Sequence, residues 1–325
     1  MKTSSNEPQP LLSVVIPMYN EGDNLDVLFA RLGGVLAGVS DAWEIVCVND
    51  GSADDTLQRL QQWREREPRI KYLSLSRNFG KESALTAGIN HARGQAVIPF
   101  DADLQDPPEL IPEMVRLWRE EGYKVVLATR KSRHGENWLK RATAWMFYRL
   151  LARMTSIPVP PNTGDFRLMD QQVVEVLRLL PERTRFMKGL FAWVGFRSTC
   201  LYFDRAPRSG GQPKQSWGRL WGLAKDGIFS FTTIPLKMTT YLGVCISTLA
   251  FGYAFWLLLR TVILGVDVPG YASLMASILC MGGLQLICLG IIGEYIGRIY
   301  REAKQRPLYV VEQQAGLSKT ESQNG

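Results

Sequence analysis

Short apolar runs alternate with stretches of helical spacing over the first 130 residues of the chain. Five apolar runs have the length and flanking turn residues of buried strands: residues 11–18, 44–48, 70–75, 95–100 and 124–129. The stretches between them place apolar side chains on one helical face: residues 20–38, 54–67, 81–93 and 108–122. Strands that alternate with helices in this way are typical of a parallel sheet with helices on both faces. The pattern therefore predicts an α/β domain with a doubly wound, mostly parallel sheet.

Polar clusters follow four of the predicted strands, at residues 19–21, 49–51, 76–78 and 101–103. The carboxyl ends of parallel strands meet at one edge of a sheet, and such sheets bind their ligands outside that edge. Four clusters that converge on one edge are stronger evidence than any one of them alone. The sequence therefore predicts a ligand site at this edge.

Two long uncharged apolar runs occupy the last third of the chain, at residues 239–259 and 268–293. Each run is long enough to cross a bilayer as a helix. Lysine and arginine flank the pair of runs on both outer sides, and only Arg260 lies between them. This asymmetry predicts two membrane spans with both ends in the cytoplasm. A buried helical hairpin in a soluble protein is the alternative interpretation.

Composition predicts the remaining segments. Residues 206–238 mix Trp, Phe and Leu with Lys and Arg, which suits a helix in the membrane interface and equally an ordinary core helix. The polar start lacks the apolar core of a signal peptide, so the α/β domain is expected to stay in the cytoplasm. The predicted organisation has five parts: a flexible N-terminus at 1–10, the α/β domain at 11–205, the interfacial segment at 206–238, a two-helix membrane domain at 239–296 and a cytoplasmic tail at 297–325. The tail is expected to be disordered from Gln313 onward.

The net charge of +7 narrows the classes of partner. A solvated surface with membrane-flanking Lys and Arg accounts for the excess, and attraction to anionic lipid or phosphates is the functional interpretation. The sequence contains no aromatic-basic recognition module, so no nucleic-acid partner is expected. Five cysteines without a Cys-x-x-Cys pair, together with only two histidines, disfavour disulfides, zinc and histidine-rich metal chemistry.

Asp101 and Asp103 place two carboxylates in one turn directly after a predicted strand, and Gln105 adds a neutral oxygen. Hard cations such as Mg²⁺ and Mn²⁺ prefer oxygen ligands and usually also bind substrate phosphates. An isolated Asp-x-Asp pair occurs by chance in surface loops. Here the strand before the pair and the prolines at 107–108 after it fix the turn, and the sequence predicts a site for metal and phosphate.

Two other strand ends carry candidate nucleotide contacts. Asp50 lies in the turn after the second strand, where its carboxylate could accept a hydrogen bond from a base or a ribose. The alternative is a turn residue that bonds its own backbone. Residues 17–21 could stack on and clamp a nucleobase, or could cap the following helix. Both interpretations stay open at each position.

Three segments carry a family resemblance: SVVIPMYNE at 13–21, NDGS at 49–52 and DADLQDPPE at 101–109. They resemble the family 2 glycosyltransferases of GT-A fold. The chain looks most like the polyprenyl-phosphate branch, which includes dolichol-phosphate mannose synthases and bacterial bactoprenol glucosyltransferases. Branch-specific segments extend the resemblance over nearly the whole chain: NFGK at 78–81, NTGDFRL at 162–168, GEYIGR at 293–298 and the two C-terminal spans.

The resemblance implies roles for individual residues. Nucleotide-sugar binding is implied for eight of them: Pro17, Tyr19, Glu21, Val48, Asp50, Asp101, Ala102 and Arg130. The implied ligands of Mg²⁺ or Mn²⁺ are Asp101, Asp103 and Gln105. Contacts with phosphates of the donor or the lipid are implied for Arg208 and Lys214, as well as for Arg130. The implied catalytic carboxylates are Asp103 and Asp165, and Asp165 matches the acceptor-site acid of the branch.

Three departures from the family pattern qualify these roles. Asn49 stands where the family usually has Asp, whereas Asp50, which matches the nucleotide contact, is retained. Residues 211–215 lack the serine and the tyrosine of the family's Gly-x-Ser-Lys-Tyr segment but keep its lysine, Lys214, so the loop geometry and the role of that lysine are left open. The Gln-x-x-Arg-Trp signature of processive polysaccharide synthases is absent, which favours transfer of a single sugar.

The resemblance implies an inverting glycosyltransferase that acts at the inner membrane, with its GT-A catalytic domain at residues 11–205 in the cytoplasm. UDP-glucose is the first choice of donor and undecaprenyl phosphate the expected acceptor, for cell-envelope glycosylation. A GDP-mannose or aminoarabinose donor is the alternative, and a homo-oligomer such as a tetramer is expected. The rival hypotheses are a soluble or peptidoglycan acceptor, an inactive two-span scaffold and a lipid flippase.

Overall fold

A computed structural model describes residues 9–130, 163–183, 185, 187–203, 234–264 and 270–317. The strands are β1 Leu12–Met18, β2 Trp43–Asn49, β3 Ile70–Leu75, β4 Ala96–Pro99, β5 Val125–Arg130, β6 Thr163–Asp170, β7 Ser198–Phe203 and β8 Val311–Ala315. The helices are α1 Leu25–Ala37, α2 Thr56–Arg66, α3 Lys81–His91, α4 Ile111–Glu120, α5 Gln171–Leu179, α6 Met187–Trp193, α7 Ile234–Leu264 and α8 Tyr271–Ala303. Short 3-10 turns at Gly22–Asn24 and Pro108–Leu110 precede α1 and α4.

The described strands form one mixed sheet with the order β7-β5-β6-β4-β1-β2-β3-β8. Strand β1 pairs in parallel with β2 and β4, β2 pairs in parallel with β3, and β5 pairs in parallel with β7. Strand β6 runs antiparallel to its neighbours β4 and β5, and β8 runs antiparallel to β3. The predicted α/β class with a mostly parallel sheet is confirmed, and the two antiparallel strands are additions that the apolar pattern did not predict.

Helices cover both faces of the sheet, so the central strands are buried on both sides. Successive residues of β1 point to opposite faces: Val14 and Ile16 pack in the core beneath α1, whereas Val15 packs in the core beneath α3. All three side chains are completely buried. This double burial explains why β1 appears in the sequence as a continuous apolar run rather than as an alternating one.

The C-terminal tail departs from the prediction. Helix α8 continues to Ala303, and Val311–Ala315 forms β8, which pairs with β3 through Leu73 and Gln314. The expectation of disorder from Gln313 is therefore wrong for the residues up to Ala315. The physical reason is that the outer edge of β3 would otherwise leave a row of backbone N–H and C=O groups without partners.

The two C-terminal helices extend beyond the predicted apolar runs. Helix α7 has 31 residues and α8 has 33, which corresponds to about 45–50 Å each. By length and composition, one stretch of the described residues, Met281–Ala303, is long and apolar enough to cross a membrane. The prediction of two spans is therefore not confirmed and stays a prediction. Most of the predicted interfacial segment, residues 206–233, lies outside the described residues.

Gly51 provides a test of the packing beside the predicted site. Its φ is +66°, and an added Cβ would lie 2.4 Å from the carbonyl carbon of Arg77. Gly122 has a similar φ of +70°, but an added Cβ there would meet open space. We expect Gly122→Ala to lower the free energy of unfolding by about 1–2 kcal/mol, the strain of the left-handed backbone alone. Gly51→Ala should cost more, because rigid backbone must also move.

The measurement is the unfolding midpoint of the full chain in detergent, followed by tryptophan fluorescence. A Gly51→Ala midpoint equal to that of Gly122→Ala would contradict the close backbone approach at Gly51.

Candidate active site

The predicted site residues converge on one edge of the sheet. The parallel strands β1, β2, β4 and β5 end there, and they deliver Tyr19, Asp50, Asp101 and Arg130. Strand β6 is antiparallel to β4, so the first residues of β6 lie at the edge where β4 ends. This topology brings Asp165 to the same edge, a placement that the apolar pattern did not predict.

Lys81 connects the two acidic strand ends. Its Nζ lies 2.6 Å from Oδ1 of Asp101 and 2.7 Å from Oδ2 of Asp165. The lysine side chain is 47% exposed, whereas that of Asp165 is only 13% exposed. Sequence reasoning placed Lys81 in a family segment but gave it no role. The available signal was its position at the first residue of α3, where the helix dipole disfavours a cation.

Electrostatics at this edge favour bound cations. Burial raises the pKa of Asp101, the Lys81 ammonium opposes the rise, and the charges of Asp165 and Asp103 add to it. Burial lowers the pKa of Lys81, but the charges of Asp165 and Asp101 outweigh it and raise that pKa above its ordinary value. Lys81 therefore stays protonated, and three carboxylates still outnumber this single ammonium.

The turn after β4 presents oxygen atoms in a strained conformation. Leu104 has a φ of +51°, a left-handed backbone that costs a non-glycine residue about 1–3 kcal/mol and that is typical of functional sites. On one side of it, Asp103 is exposed and accepts a hydrogen bond from the Gln105 amide at 3.1 Å. On the other side, the buried Oε1 of Gln105 has no hydrogen-bond partner among the described residues.

These side chains fit a hard divalent cation by their chemistry, because Asp101, Asp103 and Gln105 each provide an oxygen ligand. Within the described residues, no cluster of three or more acidic, histidine or cysteine side chains forms a complete metal cage. Magnesium sites of nucleotide enzymes often use one or two carboxylates and draw their other ligands from substrate phosphates and water. The turn after β4 has the composition of such a partial site.

Asp50 holds the loop that leads to Lys81. Its carboxylate is 3% exposed, and its two oxygens accept hydrogen bonds from the amides of Phe79 at 2.7 Å and Gly80 at 2.9 Å. Burial raises the pKa of Asp50, and these two backbone N–H groups oppose the rise. The structure thus gives the carboxylate a loop-fixing contact, and its binding of nucleotide stays a prediction.

The other residues that were predicted to bind nucleotide lie around this edge and differ in how exposed they are. Tyr19 is 45% exposed at the end of β1, and Pro17 is partly buried. The amide of Glu21 donates to Thr56 Oγ1 at 3.0 Å, which fixes the turn after β1. The side chains of Val48 and Ala102 are buried. Any contact of these two residues with a ligand would therefore use their backbone atoms. The binding of nucleotide by these residues stays a prediction.

Arg167 fixes the backbone that carries Asp165. Its guanidinium donates to the carbonyl oxygens of Gly164 at 2.7 Å and Asp165 at 3.3 Å, and it lies 4.2 Å from the centre of the Phe191 ring. The side chain is buried, and burial lowers its pKa to about 10 against the opposing charge of Asp165. Arg167 therefore remains charged at neutral pH and anchors the start of β6. Sequence reasoning missed this role.

The predicted phosphate contacts are described only in part. Arg130 lies at the end of β5 and pairs with Asp106 at 3.5 Å. Its role toward a phosphate stays a prediction. Arg208 and Lys214 lie outside the described residues.

Asn49 has a structural explanation for its departure from the family pattern. Its Nδ2 donates to Ser74 Oγ at 3.0 Å, and its Oδ1 accepts from the Ser52 amide at 3.1 Å. An aspartate could accept from Ser52 in the same way but could not donate, so the Ser74 hydroxyl would have to donate instead. Asn49 thus ties the end of β2 to β3 while leaving Asp50 in place.

Comparison with known proteins defines the class of this site. Residues 13–178 match the family model described as Glycosyl transferase family 2, and residues 234–299 match the model described as GtrB C-terminal hairpin. The first match spans more than half of the chain and contains every strand end of the site. The protein is therefore a glycosyltransferase. It belongs to glycosyl transferase family 2 and carries the GtrB-type hairpin after its α/β domain.

Relatives extend the match beyond the α/β domain. The chain is 62% identical over 306 residues to an uncharacterized glycosyltransferase from Synechocystis sp., covering 94% of this chain and 96% of the relative. It is 44% identical over 301 residues to a prophage bactoprenol glucosyl transferase homolog from Escherichia coli, and equally to a bactoprenol glucosyl transferase from Shigella phage SfV. Both of these alignments cover 93% of this chain and 98% of the relative.

Solved structures show a more distant similarity. A mannosyltransferase from Pyrobaculum calidifontis, solved in complex with GDP-Man and Mn²⁺, is 16% identical, with a TM-score of 0.45 over 92% of this chain and 87% of that one.

The Asp50 contact predicts a local change in dynamics. Asp50→Asn keeps the size of the side chain but turns one acceptor oxygen into an NH₂ group that faces a backbone N–H. We expect a loss of about 1–3 kcal/mol in unfolding free energy, because a buried donor is left without a partner. Hydrogen–deuterium exchange should become faster at the amides of Phe79 and Gly80.

The matched control is Asp55→Asn, since Asp55 is an exposed carboxylate that precedes α2 and pairs with Arg59 in that helix. Exchange at residues 79–80 should stay at the wild-type rate in this control. Unchanged exchange in Asp50→Asn as well would show that the carboxylate does not hold the loop.

Proposed function

We propose that the protein transfers a single glucosyl group from a nucleotide sugar, with UDP-glucose as the first candidate, to a polyprenyl phosphate at the cytoplasmic face of the inner membrane. The observation that carries this proposal is the coverage of the bactoprenol glucosyl transferase alignments, which run through both the α/β domain and the C-terminal hairpin. Similarity confined to the α/β domain would support a nucleotide-sugar enzyme but would say little about the acceptor.

The donor side of the reaction belongs to the strand ends of β1, β2 and β4. Tyr19 is the exposed aromatic group available to stack on a base, and Asp50 and Glu21 lie beside it on neighbouring turns. Asp101, Asp103 and Gln105 are the residues that would hold Mg²⁺ or Mn²⁺. When bound there, such a cation would offset the negative charge that develops on the departing nucleoside diphosphate.

The acceptor side belongs to the start of β6. A phosphate oxygen of the lipid is anionic at neutral pH, so it can attack the anomeric carbon without a strong general base. Asp165 is fixed by the Arg167 contacts to its backbone and by Lys81 at its carboxylate. We assign Asp165 the role of orienting the acceptor. Attack opposite the leaving group inverts the configuration of the sugar.

The C-terminal helices would place the active site close to an acceptor that is embedded in the bilayer. The polyprenyl tail lies in the bilayer, so the active site must lie at headgroup level. Helices α7 and α8 expose large apolar side chains along their lengths, including Phe251, Val262 and Leu286. Exposed apolar surface of this extent is typical of contact with lipid. We therefore propose that both helices span the membrane and that the α/β domain and the C-terminus lie in the cytoplasm.

One assay distinguishes the proposed donor and acceptor from the alternatives. GDP-mannose or an aminoarabinose donor would give a different labelled lipid, and a soluble or peptidoglycan acceptor would give label outside the lipid fraction. An inactive scaffold would give no labelled product at all. A homo-oligomer, such as a tetramer, stays a separate prediction.

The assay incubates membranes that contain the full chain with each radiolabelled nucleotide sugar and measures label in extracted polyprenyl phosphate. UDP-glucose is expected to give a labelled lipid in the presence of Mg²⁺ or Mn²⁺. Asp103→Ala should reduce this product by at least about 100-fold, because charge on the leaving group is no longer offset. The exposed position of Asp103 means that the variant should fold normally.

The matched control is Asp41→Ala, which removes an exposed carboxylate from the chain just before β2, at the opposite edge of the sheet. This variant should keep the wild-type rate. A folded Asp103→Ala protein with near-normal transfer would overturn the assignment of the site.

A further inference from the structure

The position of Lys81 is unfavourable for the helix that contains it. As the first residue of α3, it places a positive charge at the positive end of the helix dipole. No local gain in helix stability accounts for a cation there. The compensation comes from across the site, where its Nζ contacts Asp101 on the β4 side and Asp165 on the β6 side. Residues that destabilise their own helix are expected at functional sites, where contacts across the site stabilise them. We therefore expect Lys81 to act on the two carboxylates that it contacts.

The two contacts of Lys81 differ in kind. Asp101 belongs to the oxygen set that fits a divalent cation, and Asp165 lies on the acceptor side. One ammonium is therefore shared between the donor side and the acceptor side of the site. Because it is 47% exposed, the lysine side chain has room to move, whereas the buried loop contacts of Asp50 fix its backbone.

A divalent cation and the Lys81 ammonium compete for Asp101, since like charges within a few ångströms repel strongly. On the proposed function, binding of the nucleotide sugar brings such a cation to Asp101. We propose that Lys81 is a positioning residue: it holds Asp101 and Asp165 together before the donor binds, and it gives up Asp101 to the cation while keeping Asp165. This role rests on the proposed function for the source of the cation and for the anionic acceptor.

Lys81 would also reduce the repulsion between two anions on the acceptor side. The phosphate of the lipid is an anion that must approach the anion Asp165. A lysine that remains on Asp165 offsets this repulsion at the moment when the acceptor arrives. Lys81 would therefore favour a cation on Asp101 and an anionic acceptor beside Asp165 in the same complex.

The first test measures Mn²⁺ binding to the full chain in detergent, without any sugar donor, by electron paramagnetic resonance of free Mn²⁺. Lys81→Met removes the competing charge and should lower the dissociation constant by at least about threefold. Lys81→Arg keeps the charge and should bind Mn²⁺ about as weakly as the wild type. Lys124→Met is the matched control, because Lys124 pairs at 3.1 Å with Asp170 at the other end of β6. It should leave Mn²⁺ binding unchanged.

The second test measures transfer by the same variants. Lys81→Met should lower kcat by at least about tenfold, because Asp165 loses its positioning partner. The Mn²⁺ concentration that gives half the maximal rate should fall at the same time. Tighter metal binding combined with slower turnover separates positioning from misfolding, which would weaken both. Lys81→Arg should recover part of the rate.

Four outcomes are informative. Wild-type Mn²⁺ affinity in Lys81→Met would overturn the proposal, as would weaker binding in a variant whose thermal unfolding matches that of the wild type. If Lys81→Met does not fold, Lys81→Arg decides instead. Mn²⁺ binding to Lys81→Arg that is far tighter than to the wild type would overturn the proposal. Absence of lipid-linked product in the wild type would instead contradict the proposed function, and the Mn²⁺ comparison would still decide the role of Lys81.

Discussion

The active-site edge depends on the carboxylate of Asp50, which fastens the end of β2 to the loop after β3. Its two oxygens take up the backbone N–H groups of Phe79 and Gly80. A side chain at Gly51 would collide with that loop, so the two segments can approach closely only at a glycine. Lys81 follows the fastened loop directly. A contact at the carboxyl end of β2 thus sets the position of a cation at the same edge of the sheet.

Charge is the second constraint on this edge. A sugar transfer between a nucleotide and a lipid phosphate brings two anions into a site that already contains Asp101, Asp103 and Asp165. Lys81 balances part of this charge, and the buried Arg167 holds the β6 backbone from beneath. The pKa of Asp101 remains raised despite its ammonium partner. Burial is the main cause of this rise, and the neighbouring charges of Asp165 and Asp103 add to it.

The sequence predicted the first five strands and their shared edge because burial on both faces makes these strands short and mostly apolar. It did not predict β6, β7 or β8, whose partners are far away in the chain and whose direction depends on those partners. Asp165 was predicted as a site residue only through family resemblance, and Lys81 and Arg167 lay in family segments without a predicted role. Their roles arise from contacts across elements, which the periodicity of one segment does not contain. Arg208 and Lys214 lie outside the described residues.

Strand β8 has a consequence for the order of biosynthesis. It is the outermost strand of the sheet beside β3, yet it is made after both C-terminal helices. While the chain emerges from the ribosome, the outer edge of β3 therefore lacks its partner until α7 and α8 have been synthesised. An open edge is a site for wrong strand pairing. The sheet can be completed only after both helices have been synthesised, so the last folding step of the α/β domain waits for them.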